Sequence, residues 1–298
     1  MKATWGEISD EESEVEDGDN DNLALMDKSD TDSDNDSSEL VNQGDSSGGV
    51  ERVAAECFKL EREETFKNST PVKLLNELVD SNQNGKVENV DWEDVFLLTD
   101  DNEWPSKIPQ FKETMKEYRS ELKKVAESDE VMDENLGLAK GYIKKAFNNN
   151  GAAFFGTKVS HYPPCPHPEK VYGLRAHTDA GGVILLFQDD QVDGLQILKD
   201  GQWIDVLPIP NVIKLKCLAT GNTRVPAPCF VKTRCYISIA SFYNPSLKAT
   251  IAPALEELSS SNSATYPTFV FGNYMSVYND QKFLPKEPRS PSCGVQLF

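Results

Sequence analysis

The spacing of apolar residues changes at Gly151, and that change limits the fold more than any other feature of the chain. Before it the spacing is helical. Val53, Cys57 and Leu60 share one face, and Thr70-Pro71 reads as a helix start leading into Leu74, Leu75 and Leu78. Phe111, Met115, Tyr118, Leu122 and Val125 form a long stripe with Lys and Glu between them. Period alone makes these the buried faces of helices. After Gly151 short β-type runs take over: Val183 to Phe187, Leu195 to Leu198, Trp203 to Val206, Ile237 to Phe242 and Phe269 to Val277. Gly181-Gly182, Asp189-Asp190, Asp200-Gly201 and Asn244-Pro245 punctuate them. Closely spaced short strands predict an antiparallel sandwich or barrel, so the chain reads as mainly β with a helical layer in front.

The N-terminus cannot join either layer. The first fifty residues hold 16 Asp and Glu against 2 Lys, so they carry −14 of the chain's net −19. Like-charge repulsion and scarce apolar area leave such a segment unable to offset the entropy of ordering, and residues 1–37 are expected to be a disordered acidic tail. Its one apolar patch is Leu23-Ala24-Leu25-Met26. The expected plan is therefore tail 1–37, helical region 38–150, barrel 151–289 and a C-terminal tail 290–298. No basic cluster offers a footprint for nucleic acid. No apolar run approaches the roughly 18 residues of a membrane span. The acidic start lacks the basic and apolar regions of a secretory signal. The six cysteines are scattered without a C-x-x-C pair, which reads as reduced thiols in a cytoplasmic protein, taken here as a monomer.

Three histidines are present, His161, His167 and His177. His177-Thr178-Asp179 carries the most chemistry. On a strand, residues two apart point to one face, so an imidazole and a carboxylate can reach one ion together. Two His and one carboxylate on one face of Fe(II) leave positions open for O₂ and substrate. A lone H-x-D is also a common polar surface pair, so its context decides.

The context is a resemblance. Phe155 to Val206 (FGTKVSHYPPCPHPEKVYGLRAHTDAGGVILLFQDDQVDGLQILKDGQWIDV) is similar almost throughout to plant 1-aminocyclopropane-1-carboxylate (ACC) oxidase. So are Ser238 to Ala254 (SIASFYNPSLKATIAPA) and Tyr266 to Arg289 (YPTFVFGNYMSVYNDQKFLPKEPR). Upstream, VENVDWEDVFLL (Val87 to Leu98) also fits, and the match reaches back to about Glu39. The resemblance implies a jelly-roll barrel, the double-stranded β-helix. It implies an Fe(II)-dependent oxygenase that turns ACC and O₂ into ethylene, CO₂ and cyanide with ascorbate as co-substrate and bicarbonate as activator. His177 and Asp179 match iron ligands. Lys158 matches a lysine implicated in substrate or bicarbonate binding, Tyr162 a tyrosine lining the site, and Arg289 an arginine implicated in activator binding. Lys and Arg suit such anions, although each alone would read as an ordinary surface charge. The acidic tail in turn resembles the linker of plant copia-type retrotransposon polyproteins; an ordinary solvated tail describes it equally well.

The family pattern breaks in one block. The family's second iron-binding His lies downstream in a run like S-V-x-H-R-V, and no His follows His177 here. The family's V-x-L-G-D-Q-x-E-V strand gives way to the shorter Ile213 to Thr220 (IKLKCLAT). The Arg-x-Ser pair that faces a carboxylate becomes Arg234-Cys235-Tyr236-Ile237-Ser238. The family's opening strand and first helix are absent as well, so an incomplete barrel layer is expected. Read one nucleotide out of register, the codons of Val225 to Val231 permit Leu-His-Arg-Val-Leu across Pro226 to Val231. That makes a frameshifted or mis-spliced copy a hypothesis, motivated by recovery of the match at Ser238. A transcript with no His-Arg-Val in an adjacent frame would refute it. The expectation is an ACC-oxidase-type enzyme impaired by the lost His, with an inactive chimeric remnant serving only in binding as the alternative.

Overall fold

The computed structural model describes residues 23–27, 46–105, 107–128, 130–189, 192, 194–199, 201–209, 212–217, 223–225, 235–254 and 268–281. A helical layer comes first: α1 (Ser46–Cys57), a π-helical turn at Phe58–Arg62, α2 (Glu63–Lys67), α3 (Thr70–Asp80), α4 (Phe111–Glu127), α5 (Glu130–Asn135) and α6 (Tyr142–Phe147). Pro71 sits in the first turn of α3, where its missing N–H costs no helical bond. No helix among the described residues is long and apolar enough to cross a membrane.

Two antiparallel sheets make the barrel. The larger runs β1 (Leu23–Asp27), β8 (Val212–Cys217), β5 (Val183–Gln188), β10 (Tyr236–Asn244), β3 (Phe154–Tyr162) and β2 (Asp94–Leu98) in spatial order. The smaller runs β4 (Leu174–His177), β9 (Thr223–Val225), β6 (Gln196–Lys199) and β7 (Gln202–Asp205). A two-residue pair, β11 (Thr250–Ile251) and β12 (Phe269–Val270), leads into α7 (Phe271–Gln281).

Alternation along β3 separates the core from the site. Phe155 and Val159 face the helices: Val159 packs with Phe58, Phe111 and Met115, and Phe155 with Leu122 and Phe147. Full burial of a side chain such as Phe111 stabilises by about 1.5–3 kcal/mol. Lys158, Ser160 and Tyr162 lie on the other face, where Tyr162 joins a second core cluster with Phe66, Leu75, Trp92 and Tyr236. Register carries that inner face across the sheet, because Tyr236, Ser238 and Ala240 of β10 lie opposite Tyr162, Ser160 and Lys158. Gln188 and Leu186 of β5 lie opposite Ser238 and Ala240 in turn.

Two elements depart from the expected plan. Asp94–Leu98 lies inside the region expected to be helical, yet forms edge strand β2 against β3. Its Phe96 and Leu98 alternate into the core under the helices. Phe269 to Val277 was expected as one strand, but only Phe269–Val270 is extended and the rest is α7. Phe271, Tyr274 and Tyr278 fall at helical spacing and bury one face, and aromatic β-propensity had masked that stripe. Within the acidic tail, Leu23–Asp27 pairs with β8, whose edge would otherwise present unpaired N–H and C=O groups. The remainder of the tail and residues 290–298 lie outside the described residues.

Candidate functional site

The H-x-D pair sits where β4 ends. Arg175 is tied to the loop before β2: Asp91 accepts from its backbone N at 2.9 Å, from Nε at 2.8 Å and from Nη2 at 3.2 Å. The Arg175 carbonyl then accepts from His177 Nδ1 at 2.8 Å. A carbonyl can only accept, so Nδ1 carries a proton and Nε2 is the nitrogen turned toward Asp179. Nε2 lies 3.4 Å from Asp179 Oδ1, and both side chains are largely buried. Between them the Thr178 carbonyl accepts from Tyr278 Oη at 2.7 Å, so the unforeseen helix α7 clamps the turn. Gly182 closes it from the other side. A Cβ there would meet the Phe147 ring at 2.4 Å and the Tyr243 carbonyl at 2.8 Å, which leaves room only for glycine.

This arrangement supplies two converging donors of the types that Fe(II) takes. No group of three or more potential His, Cys, Asp or Glu metal donors occurs among the described residues. The remaining histidines are engaged elsewhere. His161 is on the helix-facing side of β3 and stacks on Phe58 with ring centroids 4.7 Å apart. His167 lies at the start of a 3₁₀ turn beside Glu169, at 3.4 Å. The described residues therefore offer two donors, His177 and Asp179, of types that suit an iron centre.

His161 has a thermodynamic signature of its own. Burial pushes its imidazole down from the usual 6.5 to about 4, against the opposing pull of Asp94 and Glu63. The folded chain then disfavours a proton that the unfolded chain binds. This residue contributes stability above pH 6.5 that is lost as the pH falls toward 4. Between pH 7.5 and pH 5, the unfolding free energy in urea should fall by about 2 kcal/mol more in the wild-type chain than in His161→Leu. Parallel pH dependences for the two chains would contradict this environment.

A second polar group lines the inner face. Lys158 Nζ lies 2.8 Å from Glu93 Oε1, and Tyr162 Oη donates to the same oxygen at 2.7 Å. Burial first, and then the Glu93 charge, push the Tyr162 hydroxyl well above its usual pKa, so it stays a neutral donor. Ser238 shares this face through its register with Ser160. Further along the sheet the buried Lys214 donates to Gln188 Oε1 and to the Leu207 carbonyl, both at 2.8 Å. Lys158, Tyr162 and Ser238 are thus brought together, and Asp91–Arg175 links their neighbourhood to His177. Arg234 and Arg289 lie outside the described residues. Asp91, Glu93 and Lys214 went unnoticed in the sequence. Asp91 and Glu93 lie in the loop ahead of β2, where no strand or helix period marks them.

The geometry matches a known group of proteins. Residues 153–223 match the model of the 2OG-Fe(II) oxygenase superfamily. A 1-aminocyclopropane-1-carboxylate oxidase 5 from Arabidopsis thaliana is 58% identical over 273 residues, covering 84% of this chain and 87% of that one. The chain belongs to the 1-aminocyclopropane-1-carboxylate oxidase family. A second family member, from Musa acuminata, is 57% identical with the same coverage. The crystal structure of JOX2 in complex with 2OG, Fe and JA is 28% identical, covers 85% of this chain and 80% of its own, and superposes with a TM-score of 0.63. A putative 2OG-Fe(II) oxygenase family protein from Caulobacter crescentus shares the fold at 18% identity and a TM-score of 0.63, over 87% of this chain and 89% of its own. The superfamily match ends at Thr223, inside the block where the ACC oxidase pattern is lost.

Proposed function

We propose that this chain is an ACC-oxidase-type non-haem Fe(II) oxygenase whose substrate pocket is in place and whose iron centre lacks one protein donor. The family's reaction converts ACC and O₂ to ethylene with ascorbate as co-substrate and bicarbonate as activator. His177 and Asp179 are the two iron donors in this reading. Lys158, Tyr162, Arg234, Ser238 and Arg289 serve substrate or activator. The observation that carries the impairment is that no histidine follows His177 in the sequence. One register pair supports a reading of where the donor was lost. Thr223 lies directly opposite His177 across the β4–β9 pair, and Thr223-Arg224-Val225 reads as the family's H-R-V with Thr in place of His. This placement is simpler than the frameshift reading, which puts the lost motif at Pro226 to Val231.

Two donors hold an ion less firmly than three, so Fe(II) should bind weakly and exchange readily. Equilibrium dialysis of Fe(II) under argon tests this. Weak binding that His177→Ala and Asp179→Ala each abolish is expected. Tight binding indifferent to either substitution would refute the assignment. The alternative, an inactive chimeric remnant acting only in binding, draws on the acidic tail and its strand on β8. It predicts no specific Fe(II) uptake at all.

A further inference from the structure

We infer that the cleft between α4 and the loop after β2 is a docking surface for the chain's own acidic tail, which lays residues 10–19 against Lys112, Lys116 and Lys123. Those tail residues lie outside the described residues, and the inference is independent of the iron site and of the substrate pocket.

The cleft measures about 790 Å³ and lies on the helical side of the larger sheet, with Phe155 in its lining. The buried Arg119 also lines it, but its guanidinium is spent on the Leu98 and Phe155 carbonyls and on Asp100. The charges left over belong to one face of α4. Lys112 and Lys116 are exposed there and Lys123 is half-buried. Lys124 and Lys144 nearby are paired with Glu121 and Glu127. Among the described residues no carboxylate pairs with Lys112, Lys116 or Lys123. The lining holds four cations against two carboxylates, Asp100 and Glu103, and Arg119 already takes Asp100. From Lys112 to Lys123 the helix rises about 16 Å, a span that suits an extended polyanion and not a single compact anion.

Register and chain length select the occupant. Leu23, where β1 begins, lies opposite Lys216, Lys216 opposite Ile184, Ile184 opposite Phe242, and Phe242 opposite Gly156. The chain ahead of Leu23 therefore leaves the sheet at the end where Phe155 and Leu98 stand, which is the end that holds the cleft. β1 and β2 are the two edges of this sheet, five strand spacings or about 24 Å apart. At about 3.3 Å per residue, Glu16 can lie about 23 Å from Leu23 and Glu12 about 36 Å. Asp10 to Asp19 (DEESEVEDGD) holds seven acids in ten residues. Its Glu12, Glu14 and Glu16 alternate, so an extended stretch presents them on one side at about 6.6–6.8 Å intervals. Lys112 and Lys116 are about 6 Å apart along α4. The β1–β8 pairing tethers these acids beside the lysines at an effective concentration on the order of millimolar. Such docking is electrostatic and asks no apolar core of a segment that has none.

The test is zero-length carbodiimide cross-linking of the full-length chain, which joins a lysine amine to a touching carboxylate, mapped by mass spectrometry. Residues 10–19 should link to Lys112, Lys116 and Lys123 in preference to the exposed Lys59, Lys73 and Lys248. The yield should fall at least about fivefold when Lys112→Glu, Lys116→Glu and Lys123→Glu are combined, as three exposed ion pairs of ordinary strength are lost. It should fall likewise in 1 M NaCl, where the screening length is about 3 Å. Glu12→Lys, Glu14→Lys and Glu16→Lys together should give the same loss. Joining the two sets in one chain exchanges the charges and should restore links between the two segments. That recovery separates docking from damage to the fold, because a misfolded chain would not regain them. Equal linking of the tail to all exposed lysines would show a merely solvated polyanion and overturn the inference. So would failure of the charge-exchanged chain to recover, or links found only between chains in a mixture of ¹⁴N- and ¹⁵N-labelled protein.

Discussion

A single substitution, Thr223→His, is expected to raise Fe(II) affinity by at least about 100-fold, the upper end of what even an outer-shell partner contributes at a metal site. Position 223 is the backbone partner of His177 in the β4–β9 register, beside an irregularity between Leu174 and His177. An imidazole at that position would meet a site that is already oriented. The His177 ring is held by the Arg175 carbonyl, Arg175 is held by Asp91, and the intervening turn is clamped by Tyr278. The added donor therefore inherits an ordered outer shell and needs little rearrangement. Equilibrium dialysis of Fe(II) reads the gain. Thr223→Gln, of comparable size and polar but a poor iron ligand, should leave the affinity near the wild-type value. A gain in both variants would show that the effect is packing rather than coordination.

The second large effect concerns stability and lies away from the iron site. Asp133→Ala should destabilise the fold by about 3–5 kcal/mol. Asp133 is fully buried, and its carboxylate accepts from three successive backbone amides, Gly141 N at 2.6 Å, Tyr142 N at 3.1 Å and Ile143 N at 3.1 Å. These amides open α6, where backbone N–H groups have no partner within the helix. Removing the carboxylate strands them in the interior, and each buried unsatisfied group costs about 1–3 kcal/mol. The damage spreads because α6 carries Ile143 and Phe147 into the core beside Tyr243. Asp133→Asn keeps one acceptor oxygen and should lose roughly half as much. Urea unfolding followed by circular dichroism measures both. A loss below about 1 kcal/mol in Asp133→Ala would show that water replaces the carboxylate.

Much of the architecture was legible in the sequence because its periods were clean. The stripe from Phe111 to Val125 became α4, and the alternating run around Ile237 to Phe242 became β10. Phe269 to Val277 misled because its aromatic residues favour strands in general, while their spacing here fits a helix packed on Ala249 and Ile251. β2 was missed because Asp94 to Leu98 finds its partner in β3, more than fifty residues away, which local pattern cannot reveal. The candidate site divides in the same way. His177 and Asp179 were visible as a two-residue motif. Glu93 was not, because its meaning depends on meeting Lys158 and Tyr162 from another strand. Thr223 was hidden for a further reason: only the register with His177 singles it out, since threonine itself carries no metal signal.

The central claim is that descent has kept the pocket while the iron centre has lost a donor. It is tested most directly by ethylene formation from ACC, with Fe(II), ascorbate and bicarbonate saturating, in the purified wild-type chain and Thr223→His side by side. The account predicts production by the wild-type chain at least about 100-fold below that of the variant, in step with the affinity difference. Equal production by the two chains would contradict it.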